Sequence, residues 1–257
     1  MPPRKIAIAY YTMMYKEFVR VLRIWSQTLL PPVITTSLYF IIFGAFIGSQ
    51  LTPIHGVSYI QFIVPGLIMM TIITSSYTAS VTSVFMAKFM KTIEELLTSP
   101  TPDWVIILGF VSIGVMRGLI VGTLVLLASL FFTHLAITNV LVILFAFILT
   151  SALFSLGGLL NGLFAKSFDT VSIIPTFVLT PLTYLGGIFY SIEMLPEFWQ
   201  TVSLANPIIY MVNAFRYGFL GISDIPLWIC FTVILSFVAV FVCIALFLFR
   251  KGIGMKN

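Results

Sequence analysis

Side chains able to do covalent or metal chemistry are few in this chain, and their spacing argues against using them that way. His55 and His134 stand in separate loops with no carboxylate at metal-ligand spacing, so no metal site is expected. Gly157 to Gly162 has the glycine spacing of a phosphate-binding loop, but Leu163 follows where a lysine is required. No nucleotide-binding motif is therefore read, and no catalytic residue is assigned. The apolar runs hold no Asp or Glu away from their ends, which argues against a proton- or sodium-coupled carrier. If the chain moves something, another protein supplies the energy.

The charges that remain suit mechanical contact. Lys88-Phe89-Met90-Lys91-Thr92-Ile93-Glu94-Glu95-Leu96-Leu97-Thr98-Ser99-Pro100 forms a short polar segment between two long apolar runs. Thr92 followed by Glu95 predicts a capping box, with each side chain satisfying a free N–H at a helix start. Ser99-Pro100 predicts a stop after about two turns. Thr101-Pro102-Asp103 then opens the next helix, with Pro at the first helical position and an acid near the positive dipole end. A short capped helix held between two spans is suited to being pushed by another protein, although a structural turn would look the same.

The elements that position these groups follow from composition. The 257 residues are 60% hydrophobic and 8% charged, with mean hydropathy +1.14, far from the quarter-charged composition of a soluble domain. Six runs are long enough to cross a bilayer as helices of roughly 20 residues: Thr28 to Gly48, Tyr59 to Ala87, Pro102 to Phe132, Thr138 to Ala165, Val171 to Tyr190 and Pro226 to Phe249. The alternation of a barrel strand is absent. An all-α integral membrane protein with six spans is expected.

Basic residues flanking the spans orient it. Arg4, Lys5, Lys16, Arg20, Arg23, Lys88, Lys91, Lys166, Arg250, Lys251 and Lys256 fall on one side, and the opposite loops hold only Arg216 among Glu193, Glu197 and Asp224. Both termini are expected in the cytoplasm, and the net charge of +5 reflects topology without invoking nucleic acid. No cleavable signal peptide is read. Cys230 and Cys243 share one helix about 20 Å apart, too far to bond within the chain.

The first 27 residues are amphipathic. Ile6, Tyr10, Met14, Phe18, Val21 and Trp25 step by three or four, while Lys5, Lys16, Arg20, Arg23 and Gln27 line another face. Such a helix lies in the membrane interface, its basic side toward lipid headgroups or a cytosolic partner. Glu17, at the edge of the apolar face, has no explanation in the pattern. Gly114, Gly118 and Gly122, with Gly44/Gly48 and Gly158/Gly162, predict close helix approach. Arg117 sits inside the third span, where a charge must face protein, water or a route to the interface. Ser191 to Gly221 is rich in aromatics and broken by Pro196 and Asn206-Pro207, which predicts two short helices dipping back into the membrane and capping a pathway.

Together the basic amphipathic start, Phe62-Ile63-Val64-Pro65-Gly66, Ile93-Glu94-Glu95-Leu96-Leu97, and Thr180-Pro181-Leu182-Thr183-Tyr184-Leu185-Gly186-Gly187 followed by Leu195-Pro196, Asn206-Pro207 and Arg216 resemble the type-2 ABC exporter permease family over essentially the whole chain. In that family Gly often stands where Lys91 or Thr92 stands here. The resemblance implies one transmembrane domain over 1–257, with a connecting helix at 1–27, a coupling loop at 88–101 and an external re-entrant segment at 191–222. It implies a homodimer beside two copies of a separate ABC ATPase subunit, which would bind the ATP and Mg that this chain does not. Lys91, Thr92, Glu94, Glu95 and Leu96 would form the coupling helix, Lys16, Arg20 and Arg23 would lie on the connecting helix, and Phe168 and Asp169 would make a second cytoplasmic contact. Thr180, Pro181, Tyr184 and Leu185 would form an upper gate, with Tyr39 and Phe62 on the pathway. The glycine seams could equally serve contacts within one subunit.

Tyr39, Phe40, Phe62, Met69, Met70, Tyr77 and Phe177 are expected to face the membrane or pathway, which suits an amphipathic substrate: a lipid, a lipid-linked saccharide or a hydrophobic drug, moved across a bacterial inner membrane. The alternatives are a channel or membrane scaffold without ATP coupling, and an intramembrane lipid-modifying enzyme.

Overall fold

The computed structural model describes residues 3–50, 53–54 and 56–254. The loop reading of His55 and the placement of Lys256 fall outside these residues. The regular structure of the described residues is helical, apart from one isolated bridge between Ile54 and Val57. Helix α1 (Pro3–Arg23) leads through α2 (Trp25–Thr28) into α3 (Leu30–Tyr39) and a π-helical continuation, Phe40–Ile47. Then come α4 (Tyr59–Phe89), α5 (Thr92–Thr98), α6 (Asp103–Ser129) and α7 (Val140–Phe164). Helix α8 (Phe168–Ile174), a π segment (Pro175–Leu179) and α9 (Thr180–Tyr184) run end to end, followed by α10 (Glu197–Leu204), α11 (Pro207–Leu220) and α12 (Leu227–Lys251).

Among the described residues five helical stretches are long and apolar enough to cross a membrane: Trp25–Gly44, α4, α6, α7 and α12. The remaining expected span, Val171 to Tyr190, is helical only to Tyr184 and includes the π segment and two prolines, Pro175 and Pro181. Proline removes an N–H from the ladder, and the wider turn accommodates its ring.

Helix α4 is the centre of the bundle, apolar almost all round and packed against α6, α7 and α11. Its start is fixed by Ser58, whose backbone N–H donates to Gln61 Oε1 at 3.2 Å. The glycine seams bring spans of one chain together. A Cβ at Gly114 would stand 2.7 Å from the Ser76 carbonyl oxygen, and one at Gly118 would stand 3.0 Å from Ser151 Oγ. Small residues let α4, α6 and α7 approach to backbone contact.

The structure corrects four expectations. The Thr92–Glu95 capping box does not form, because Lys91 is the residue preceding α5 and no side chain caps that helix. Pro102 precedes α6 with extended backbone, so Asp103 opens it. Phe40, Phe62, Met69 and Tyr77 are buried among neighbouring helices of the same chain, whereas Phe177 is 73% exposed. Helix α1 carries three faces, where two were expected. Tyr10 and Met13 pack on α6, Ile8, Tyr11, Tyr15, Phe18 and Leu22 form an exposed apolar stripe, and the basic residues form the third face.

Candidate functional site

At the basic end of the bundle, α5 is pinned on one side and free on the other. Lys91 turns the chain with φ 58°, the left-handed region that L-residues adopt at a cost, and Thr92 Oγ1 donates to the Ala87 carbonyl at 3.2 Å. Ile93 is fully buried, and Leu96 and Leu97 pack on the core formed by α4, α6, α7 and α12. Glu94 and Glu95 stay exposed in the first turn. A helix of two turns thus presents carboxylates outward on an apolar anchor.

Two contacts join this loop to the segment after α7. Lys88, itself 6% exposed, donates from Nζ to the Leu163 carbonyl and, at 3.4 Å, to the Ala165 carbonyl. Those are end carbonyls of α7, where a cation complements the helix dipole. Phe168 stacks edge-on against Phe85 at 4.8 Å and tilted against Phe89 at 5.7 Å between ring centroids. Ser167 caps α8, accepting from the Thr170 N–H at 3.3 Å, which leaves Asp169 exposed in its first turn. The Lys91–Leu96 set and the Phe168–Asp169 pair, far apart in sequence, therefore both adjoin the same end of α4.

The connecting-helix residues lie along α1, with Lys16 and Arg23 exposed. Arg20 Nη2 pairs with Glu17 Oε2 at 2.6 Å, which accounts for the acid on the packed face. Arg117 approaches the same region: its Nη2 reaches the Thr28 carbonyl at 3.5 Å and its charge lies near that of Arg20. Arg117 of α6 thus meets the junction of α1, α2 and α3.

At the opposite end an aromatic cluster ties the first membrane-crossing stretch to α9. Tyr39 and Tyr184 hydroxyls lie 3.2 Å apart, and Phe189 sits against Tyr184, Tyr39 and Phe43 with centroids at 6.0, 6.4 and 4.9 Å. Thr180 and Pro181 are exposed, and Thr180 Oγ1 donates to the Pro175 carbonyl across the π turn at 2.9 Å. Leu185 ends α9 half-buried, its N–H donating to the Pro181 carbonyl at 3.0 Å. Phe62 lies below this surface, fully buried beneath the Arg216 guanidinium.

Arg216 itself escaped the sequence reading, which counted it as a loop cation. It is 1% exposed and belongs to α11, a helix sunk among α4, α7 and α12. Its Nη2 donates to the Gly187 carbonyl at 2.6 Å, and Asn206 Nδ2 donates to the Leu182 carbonyl at the same distance. Both ends of the Leu182–Gly187 turn are thereby held by the segment that follows it. The available signal was an arginine at the centre of the apolar run Ile208 to Phe219. Among the described residues no group of His, Cys, Asp or Glu is arranged to hold a metal.

Comparison with known proteins agrees with this architecture. A sequence profile described as ABC-2 type transporter matches residues 8–220. The chain is 54% identical over 250 residues, 97% of its length and 98% of the relative's, to the inner membrane transport permease YadH of Escherichia coli (strain K12). The YadH of Shigella flexneri matches equally well. A more distant match, 26% identical over 192 residues and covering 72% of this chain and 71% of the relative, is nodulation protein J of Rhizobium leguminosarum bv. viciae. With a profile match over most of its length and a relative this similar from end to end, the chain belongs to the ABC-2 type transporter family.

Proposed function

We propose that this chain is the permease subunit of an ATP-driven exporter, working as a homodimer with two copies of a separate ABC ATPase and moving an amphipathic or hydrophobic molecule across the bacterial inner membrane. The basic end faces the cytoplasm, which follows from the retention of Lys and Arg there. The run Phe168 to Tyr184 continues toward Tyr190 as the sixth span, and α10 and α11 cap the pathway from outside.

The observation that carries this reading is the joint at the basic end. Glu94 and Glu95 project from a helix whose other face is anchored, and the same anchor grips Phe168 through Phe85 and Phe89. A partner pressing on α5 bears on the end of α4, and the Phe85–Phe168 contact and the buried Lys88 pass that displacement to the start of α8. Helix α8 leads directly through the π segment into α9 and Tyr184, so displacement at the basic end reaches the aromatic cluster. The apolar walls and the scarcity of intramembrane charge support a substrate that is mostly hydrocarbon.

Affinity purification of the tagged chain from its native membrane in mild detergent tests this. Stoichiometric recovery of a soluble P-loop ATPase that hydrolyses ATP is the expected result. Recovery of the chain alone, stable and without ATPase, sinks the exporter reading and puts a channel or an enzyme first.

A further inference from the structure

A cavity of about 390 Å³ lies between α4, α7, α12 and the back of the α8–α9 run. It is much larger than the roughly 150 Å³ apolar void that accommodates benzene. Its walls are apolar, including Leu153, Gly157, Val178, Leu182 and Phe241, and its polar side chains are Tyr77 and Asn161. Phe164, Ile174, Val178 and Phe237 at its margin are each more than a third exposed, so the mouth opens at the depth of the bilayer.

The polar groups are at one end. Asn161 lies in the last turn of α7, beside the carbonyls that Lys88 caps, and so near the level of the headgroups. The Tyr77 ring packs beside Gly157 and Asn161, and its hydroxyl, in a residue 3% exposed, is turned toward the Asn161 side chain. From Asn161 the cavity runs away from the basic end to Leu153 and Leu182, with only hydrocarbon lining it. A polar point at headgroup depth followed by an apolar slot suits a glycerolipid, with its ester region beside Asn161 and its acyl chain in the slot.

We infer that this cavity is a binding site for an acyl chain of a membrane lipid from the leaflet at the basic end. The site is separate from the proposed pathway. Ile174, Val178 and Leu182 face the slot, whereas Phe177, Thr180, Pro181 and Tyr184 share the other face of the same helical run. The bound chain backs that run from behind, and the inference does not depend on what is transported.

The test uses the full chain with its co-purifying proteins in phosphatidylethanolamine vesicles containing an analogue whose acyl chain carries a diazirine. After illumination, residue-level mass spectrometry is expected to place adducts on Leu153, Gly157 or Phe241 roughly tenfold above those on the lipid-facing Leu127 and Phe247. Gly157→Met fills the slot from α7, where a Cβ meets Tyr77 and Phe241 at ordinary contact, 3.5 Å. Val178→Phe fills it from the opposite wall. Both are expected to remove the slot adducts and leave those on Leu127 and Phe247. Adducts at background level, or unchanged in both folded variants, overturn the inference. So does a disulfide between two copies carrying Phe164→Cys in a Cys243→Ser background, since a second chain then covers the mouth.

Discussion

The guanidinium carbon of Arg216 lies 3.8 Å from the centroid of the Phe62 ring, and the same guanidinium donates to the Gly187 carbonyl. One side chain thus binds α11, α4 and the glycine turn after α9. Its Nε and Nη1 have no hydrogen-bond partner among the described residues, so the charge is held at a desolvation cost that its contacts only partly offset. Arg216→Ala leaves a cavity and a free carbonyl, and is expected to lower stability by about 2–4 kcal/mol. Arg216→Met fills the space but leaves the same carbonyl free, and is expected to cost less than the alanine change, about 1–3 kcal/mol. Transport should fall in both, because neither ties Gly187. Thermal unfolding in detergent with a transport assay checks this; full transport by the Met variant removes the clamp from the mechanism.

Lys88 makes a different use of burial, satisfying carbonyls at the end of α7. Lys88→Met keeps the aliphatic stem but strips the Leu163 and Ala165 carbonyls of their donor, at an expected cost of about 1–3 kcal/mol. The joint between α5 and α8 should loosen with it. Hydrogen exchange is expected to rise at Phe168–Ile174 before it rises in α4, and unchanged protection there would show that the aromatic contacts alone hold the joint.

The apolar runs made α4, α6, α7 and α12 legible to within about three residues at each end, because span length and hydropathy are local properties. Helix α5 lies in the polar stretch between two long apolar runs where its stop signal predicted a short helix, but nothing local shows that Phe85 and Lys88 bring the end of α4 against the segment after α7. Thr92 was misread for a definable reason: a left-handed Lys91 takes the turn, so the threonine becomes the first helical residue and its hydroxyl reaches back to Ala87. Arg216 was illegible because its burial comes from packing against Phe62 and Gly187, distant in the chain. A charge between two spans reads as solvated until the helix carrying it is seen to sink among them.

Lys91 is the only non-glycine residue with positive φ among those described. Glycine has no Cβ to penalise that conformation, so Lys91→Gly is expected to stabilise α5 by about 1 kcal/mol. A β-branched substitution, Lys91→Val, should destabilise it. Exchange protection of the Thr92–Thr98 amides reads the sign directly, and slower opening in the Val variant than in the parent would contradict the backbone argument.

Gly114 and Gly118 hold α6 against α4 and α7, and the margin is below a methyl group. At Gly114 the first obstacles are the Ser155 side chain and the Ser76 backbone carbonyl, and a backbone atom cannot swing aside. Gly114→Ala is expected to destabilise by about 1–3 kcal/mol. Gly157→Ala on α7 meets its neighbours at 3.5 Å and should be tolerated. Equal thermal stability of the two variants would argue that the seam is looser than this packing.

Glu94 and Glu95 are the test of coupling itself, because they are exposed and support no described hydrogen bond through their carboxylates. Reversing both charges, Glu94→Lys with Glu95→Lys, places two cations in the first turn of α5. This costs about 0.3–1 kcal/mol each at the positive dipole end, too little to dislodge a helix anchored by Ile93, Leu96 and Leu97. Membrane insertion and detergent stability should therefore stay near the parent, while transport and substrate-stimulated ATPase activity drop together. A double mutant that inserts normally and retains full substrate-stimulated ATPase activity would show that the partner drives the bundle through another surface, and α8 with Asp169 would be the next place to look.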